Sequence, residues 1–292
     1  MSMNQSVLIC DQVNPVLNEI LEKNGLQITY EPEITPEQIL EKIENFEVII
    51  VRSRTKITKD MIEKANKCQI IARVGVGLDN IDQAAAKEKN IRVINAVEGA
   101  MNAVAELVIG LMLSLAREIP RADREVRNGN WIKKELMGTE LRGKYLGIVG
   151  LGNIGKRLGR LARALNMNII GYDVVPIDEE FSSEVGLMKA DLGTLLASSD
   201  YVSLHVPLLD STKHLINAEK MSTMKNTSRI INTSRGGVID EDALYEFLKD
   251  GKLGGAALDV FEVEPATSNK LASLPNFIST PHMGAQTKEA QS

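Results

Sequence analysis

The chain has 292 residues, 43% of them hydrophobic and 25% charged. That balance excludes disordered and collagen-like chains, and the length predicts two domains rather than one. The formal net charge of -5 gives no general attraction for nucleic acid or an anionic membrane, so any bound anion must be held by a local set of groups. The first residues enter a strand-like segment without a cationic leader, and no apolar run reaches the roughly 20 residues that cross a bilayer. A cytoplasmic protein with neither nucleic-acid nor membrane partners is expected. The two cysteines, Cys10 and Cys68, stand in apolar surroundings without metal-ligand spacing; they are expected as buried thiols, and no metal is expected.

In chain order, short apolar runs at residues 6–10, 47–51, 69–72 and 91–94 alternate with helix-like stretches at 13–23 and 36–44, the rhythm of a parallel sheet. Residues 100–128 predict one long helix, apolar at helical spacing through 103–116 and charged over 117–127. Its Leu107, Ile109, Leu111, Leu113 and Leu115 exceed what one helix face needs against its own domain. With the arm through Gly138, they predict a homodimer contact. A second series of strands is expected at 145–149, 168–172, 201–204, 229–232, 255–258 and 277–279, six strands that suit a doubly wound nucleotide-binding sheet. The expected fold is α/β: two doubly wound parallel-sheet domains, one Rossmann-type and one flavodoxin-like, with a cleft between them. Residues 287–292 read as the start of a helix.

The first strand of the second series runs into G-L-G-N-I-G and then into an amphipathic helix. Gly150 permits the tight turn, Gly152 lets the backbone approach a pyrophosphate, and Gly155 lets helix and strand pack closely, while the helix N-terminus offers N–H groups and a positive dipole end. The next strand ends at Asp173, placed to accept hydrogen bonds from an adenosine ribose. Val174, Val175 and Pro176 follow it, with no Arg or Lys to balance a 2'-phosphate. The cofactor is therefore expected to be NAD rather than NADP.

Three further strand ends carry polar residues that packing does not explain: Arg235 in N-T-S-R-G-G, Asp259 and Glu264 in A-L-D-V-F-E-V-E-P, and His282 in S-T-P-H-M-G-A. Oxidising an alcohol by hydride transfer requires a base for the hydroxyl proton, and imidazole titrates in the right range. Glu264 could fix the imidazole tautomer, and Arg235 could grip a carboxylate through two parallel bonds. In the first series, Arg52 ends E-V-I-I-V and Arg73 ends Q-I-I-A, so a forked cation stands at each of two strand ends, suited to a phosphate.

These four motifs, with T-P-H-M-G-A continuing as Q-T-K-E-A, resemble the signatures of the D-isomer-specific 2-hydroxyacid dehydrogenases, and the resemblance covers nearly the whole chain. V-R-S-R-T-K-I-T, A-R-V-G-V-G-L-D-N-I-D and M-G-T-E-L-R-G-K most resemble the phosphoglycerate-oxidising members. The resemblance implies that Arg235, Glu264 and His282 are catalytic and that Asp259 neighbours the nicotinamide. Further cofactor contacts are implied for Val76, Asn153, Ile154, His205, Val206, Pro207, Thr233, Ser234, Gly284 and Ala285. Substrate contacts are implied for Arg52, Ser53, Arg73 and Gly75, with Lys133 reaching over from a second copy of the chain. Residues 1–97 would form the substrate-binding domain, completed by a C-terminal helix starting within 286–292, and residues 98–285 the NAD-binding domain with its dimerisation helix and arm.

The chain departs from the family pattern at Asn153, often Arg; at Val76, commonly Thr; and at Lys133, Arg in relatives. No segment resembles the regulatory domain that some members carry, so feedback control through one is not expected. The expected reaction is NAD-dependent oxidation of 3-phospho-D-glycerate to 3-phosphohydroxypyruvate, a step toward serine. Two alternatives stand beside it: a glyoxylate or hydroxypyruvate reductase or another D-2-hydroxyacid dehydrogenase with an unphosphorylated substrate, and an NAD-binding corepressor of the same fold, which Arg52 and Arg73 disfavour because they suit a small anion better than a peptide.

Overall fold

The computed structural model describes residues 5–75 and 77–290. The chain divides into two compact units, Met1–Ala100 with Ala285–Ser292, and Met101–Gly284.

The first unit holds five strands, β1 (Ser6–Ile9), β2 (Gln27–Tyr30), β3 (Val48–Val51), β4 (Ile70–Arg73) and β5 (Arg92–Asn95), all parallel in the order β2-β1-β3-β4-β5. This is the flavodoxin-like order. The period-2 alternation of strand side chains divides the core: Leu8, Ile49, Val51 and Ile71 pack on one face, and Val7, Ile9, Val48 and Ile50 on the other. Burial on both faces explains the unbroken apolar runs. β2 was not among the expected strands, because an edge strand reading Q-I-T-Y, partly exposed along its length, has no such run. Cys10 and Cys68 are free and buried, and burial pushes their thiols up to about 12 and about 11.

The second unit holds β6 (Tyr145–Val149), β7 (Asn168–Tyr172), β8 (Met188–Lys189), β9 (Tyr201–Leu204), β10 (Arg229–Asn232), β11 (Gly255–Leu258) and β12 (Phe277–Ser279), again all parallel, in the order β12-β11-β10-β9-β6-β7-β8. The sheet has seven strands rather than six, the addition being the exposed two-residue edge β8. Strand order reverses between β6 and β9, so the crevice for a ligand opens at the carboxyl ends of these two strands.

The expected single helix at 100–128 is two, Val97–Arg117 and Ile119–Arg127. Glu118 adopts φ +51° and Pro120 follows, and a proline can supply no N–H to continue the helix. Contrary to the sequence reading, the stretch Gly99–Arg117 is long and apolar enough on composition alone to cross a membrane. Its Ala105, Val108, Leu111, Met112 and Leu115 instead fill the core of the second unit, beside Leu146, Ile148 and Leu158. At the end of the chain, residues 287–290 form a turn rather than a helix, with the Ala290 N–H donating to Thr287 Oγ1 at 3.1 Å; the rest of the expected helix lies outside the described residues.

Candidate active site

Gly150 directly follows β6 at φ +92°, and a Cβ there would press on the His205 carbonyl oxygen at 2.5 Å. A Cβ on Gly155 would run into the Gly150 carbonyl, which is how turn and helix come so close. Gly152 is different: the space where its Cβ would point is open. It caps the twelve-residue helix Asn153–Ala164 with no side-chain bond to the first-turn N–H groups, so the backbone around Gly152, Asn153 and Ile154 forms an open, electropositive cradle. Asp173, just after β7, braces the loop, its Oδ2 accepting the Leu151 N–H at 2.6 Å and its Oδ1 the Val175 N–H at 3.1 Å.

His205 follows β9, its N–H donating to the Val149 carbonyl at 2.8 Å. Its ring lies 2.8 Å from Ser203 Oγ, and desolvation pushes its pKa down to about 4, so the imidazole is neutral at ordinary pH. Val206 packs on the core, and the Pro207 carbonyl accepts the Thr212 hydroxyl at 2.6 Å. After β10, Ser234 donates through both N–H and Oγ to Asn232 Oδ1, while Thr233 Oγ1 is buried with no hydrogen-bond partner among the described residues. An orphaned hydroxyl at the carboxyl end of β10, in the same parallel sheet whose β6 leads into the open glycine cradle, fits a dinucleotide bound across the carboxyl ends.

β10, β11 and β12 are neighbours, and each delivers one or more of the residues expected to be catalytic. Arg235, half-buried, is held in its turn by the Asn232 amide, which donates to the Arg235 carbonyl at 2.8 Å. Asp259 directly follows β11 and is fully buried. Its carboxylate accepts Thr280 Oγ1 at 2.5 Å and the Met283 and Gly284 N–H groups at 2.9 Å each, and its carbonyl accepts the His282 N–H at 2.8 Å. The turn carrying His282, itself at φ +51°, is thus built on Asp259. His282 Nδ1 lies 2.8 Å from Glu264 Oε2, and Glu264 Oε1 accepts the Phe261 N–H at 3.0 Å. Facing a carboxylate, Nδ1 carries the proton, which leaves Nε2 as the atom able to exchange one. A cavity of about 540 Å³ is lined by Glu264, Pro265, Thr280, Pro281 and His282.

The first unit brings its expected residues together at the same end of its sheet. Arg73 ends β4 and donates through Nη2 to Ser53 Oγ at 3.3 Å, while Gly75, at φ +147°, leaves room for the Arg73 guanidinium, which a Cβ would meet at 2.7 Å. Arg52 follows β3 and donates through Nη1 to the Gln12 carbonyl at 3.0 Å. Sequence reasoning missed the brace beneath them. Buried Asp11, after β1, accepts the Arg52 N–H at 2.5 Å and Thr55 Oγ1 at 2.7 Å, and pairs with Arg54 at 3.0 Å. The available signal was an Asp ending an apolar strand. Lys133 stands in the exposed arm between Ile132 and Glu135, Ala285 opens the C-terminal segment assigned to the first unit, and Val76 lies outside the described residues.

Residues 109–284 match the family model described as D-isomer specific 2-hydroxyacid dehydrogenase, NAD binding domain. The chain is 47% identical over 286 residues to a D-3-phosphoglycerate dehydrogenase of Methanocaldococcus jannaschii, covering 98% of this chain and 54% of that one. It is also 47% identical over 275 residues to a hydroxypyruvate reductase of Thermotoga maritima, covering 93% of this chain and 88% of that one. The chain therefore spans about half the length of the curated phosphoglycerate dehydrogenases it matches. Among solved structures, a glyoxylate reductase from Paecilomyes thermophila superposes with a TM-score of 0.92 at 31% identity, covering 99% of this chain and 92% of that one. Family match, parallel-sheet order and glycine cradle agree: the chain belongs to the D-isomer specific 2-hydroxyacid dehydrogenases and carries their nicotinamide-dinucleotide-binding domain.

Proposed function

We propose that the protein is an NAD-dependent dehydrogenase that interconverts 3-phospho-D-glycerate and 3-phosphohydroxypyruvate. The observation that carries this reading is the His282–Glu264 pair at 2.8 Å on neighbouring strand ends. In the oxidative direction His282 Nε2 takes the proton of the substrate 2-hydroxyl, and Glu264 stabilises the imidazolium that forms. Arg235 holds the substrate carboxylate. The bound nicotinamide supplies the acceptor for the hydride that leaves C2. The backbone of Gly150, Gly152, Asn153, Ile154 and Gly155 would hold the pyrophosphate, Asp173 the adenosine ribose, and His205 to Pro207 with Thr233, Ser234, Gly284 and Ala285 the rest of the dinucleotide. Asp173 favours NAD, since its charge would repel a 2'-phosphate.

Arg52 and Arg73, with Ser53 and Gly75, are left for the substrate phosphate, and in a homodimer Lys133 of a second copy would add a third cation. Within this reading the protein acts in the cytoplasm on a small anionic substrate. A second reading, reduction of unphosphorylated hydroxypyruvate, is favoured by the Thermotoga maritima relative, which the chain matches over 88% of its length. Steady-state reduction of phosphohydroxypyruvate and hydroxypyruvate by NADH separates them. A charge-assisted bond contributes about 1.5–3 kcal/mol, so Arg52→Ala or Arg73→Ala should cost roughly ten- to a hundred-fold in kcat/KM on the phosphate ester and little on hydroxypyruvate. Equal losses on both, or no wild-type preference for the ester, transfer the assignment to the reductase.

A further inference from the structure

We infer that Glu241 is a positioning residue: with Glu262 and His214 it forms a latch that holds the loop carrying Glu264 in register with the loop carrying Arg235. The inference rests on the acid–base role proposed for His282 and Glu264. Glu241 is the first residue of the helix Glu241–Lys249, on neither loop. Its Oε1 accepts the Glu262 N–H at 2.6 Å and its Oε2 accepts the Asn269 amide at 2.6 Å. In return Glu262 Oε1 accepts the Glu241 N–H at 3.3 Å, so each carboxylate takes the other residue's backbone N–H.

The same Glu262 oxygen lies 3.1 Å from His214 Nε2, and the His214 N–H donates to the Gly237 carbonyl at 2.7 Å. His214, at φ +50°, therefore touches both loops, its backbone the Arg235–Gly237 turn and its ring the 261–264 turn. Between these turns there is no side-chain layer, because a Cβ on Gly236 would run into the Phe261 carbonyl and the Glu262 nitrogen. Glu264 takes its own anchor, the Phe261 N–H, from the peptide next to the one Glu241 holds. A slip at Glu262 is thus transmitted to the carboxylate that orients His282.

The parts of the latch differ in strength. The His214–Glu262 pair is 38% exposed on both sides and contributes little. The Glu262 N–H donates to a carboxylate, that of the half-buried Glu241, in a short charge-assisted bond, and this bond is the one that holds. Burial and the charges of Glu262 and Asp242 hold the Glu241 carboxyl above its ordinary range, against the pull of the Glu262 N–H and the Asn269 amide. Asp242 is itself paired with Lys270 at 2.6 Å. A group whose ionisation is made harder by its site, yet whose two oxygens are both used, is placed for geometry.

The test is steady-state keto-acid reduction by NADH in wild type, Glu241→Gln, Glu241→Ala, Glu264→Gln and the Glu241→Ala/Glu264→Gln double variant of the full chain, with kcat and KM read separately. Glu264→Gln removes the carboxylate that orients His282 and should lower kcat. Glu241→Ala should lower kcat about tenfold, a part of what a general acid contributes, with KM for NADH unchanged. Glu241→Gln, which keeps one acceptor and the fold, should show the same change at smaller size, and the double variant should fall no further than Glu264→Gln alone. A wild-type kcat in Glu241→Gln, or additive losses in the double variant, overturn the latch while Glu264→Gln still loses kcat. A wild-type kcat in Glu264→Gln overturns the acid–base reading, and the latch falls with it.

Discussion

Asp173 spends both carboxylate oxygens on backbone, one on Leu151 in the glycine loop and one on Val175 just beyond β7. The residue proposed to discriminate the cofactor is therefore also a strut of the cradle, and truncating it would confuse the two roles. Asp173→Asn separates them, since the amide oxygen still accepts one N–H while the charge is gone. The expected outcome is a rise in kcat/KM for NADP relative to NAD of roughly tenfold, the value of about 1.4 kcal/mol of removed repulsion; a wild type that prefers NADP ends the claim. The placement of Asp173, Glu264 and His282 after apolar strands was legible in the sequence, because a polar side chain there has no packing reason to be. The bonds that hold them were not. Asp11 and Asp259 each collect backbone N–H groups from a turn remote in sequence, and which N–H groups face a carboxylate is set by turn dihedrals such as φ +51° at His282, which no residue spacing reveals.

Among the elements, the two turns that meet at Gly236 are joined backbone to backbone. Gly236→Ala inserts a methyl group where the Phe261 carbonyl and Glu262 nitrogen already lie, so the turns must part. Overpacking of this kind costs about 1–3 kcal/mol, which should lower Tm by several degrees. Displacing Arg235 relative to Glu264 by an ångström should cost on the order of a hundredfold in kcat. Calorimetry and steady-state kinetics on the one variant check both, and an unchanged kcat removes the idea that this contact sets the catalytic geometry. The strand pattern was legible because both faces of a parallel sheet are buried, which writes each inner strand as a continuous apolar run. That same rule hides only part of the edges: β5 and β12 are edge strands that still carry an apolar run, whereas β2, exposed at both its ends, and β8, two exposed residues, leave none. The long helix was misread for a different reason. Helical periodicity continues through residues 100–128, and only Pro120, with Glu118 turned left-handed before it, divides it.

At the scale of the whole molecule, a homodimer needs an exposed apolar surface on which a second copy can sit. Of the five residues of the long helix that exceed the needs of one face, Leu111 and Leu115 lie in the core of their own unit and Leu107 and Ile109 pack against it, while Leu113 is 39% exposed. Periodicity shows that a helix has two apolar stripes but not whether its own sheet covers both. The exposed apolar surface is further along, on the helix Ile119–Arg127 and the arm after it, where Trp131 is 82% and Met137 87% exposed, with Ile119 and Val126 beside them in sequence and also exposed. Large side chains gathered on one short segment mark an association surface, and burying each contributes about 1.5–3 kcal/mol. The full chain should therefore sediment as a dimer at micromolar concentration. Replacing Trp131 and Met137 together by Glu removes that burial and sets like charges on the contact, and should weaken association by at least about a hundredfold, the equivalent of about 2.7 kcal/mol. If Lys133 of one copy serves the phosphate bound by the other, the same double variant should lose kcat/KM on phosphohydroxypyruvate in step with its dissociation while hydroxypyruvate turnover holds. A wild-type monomer would remove the second copy, and with it any route for Lys133, two residues beyond Trp131, to reach another chain's substrate.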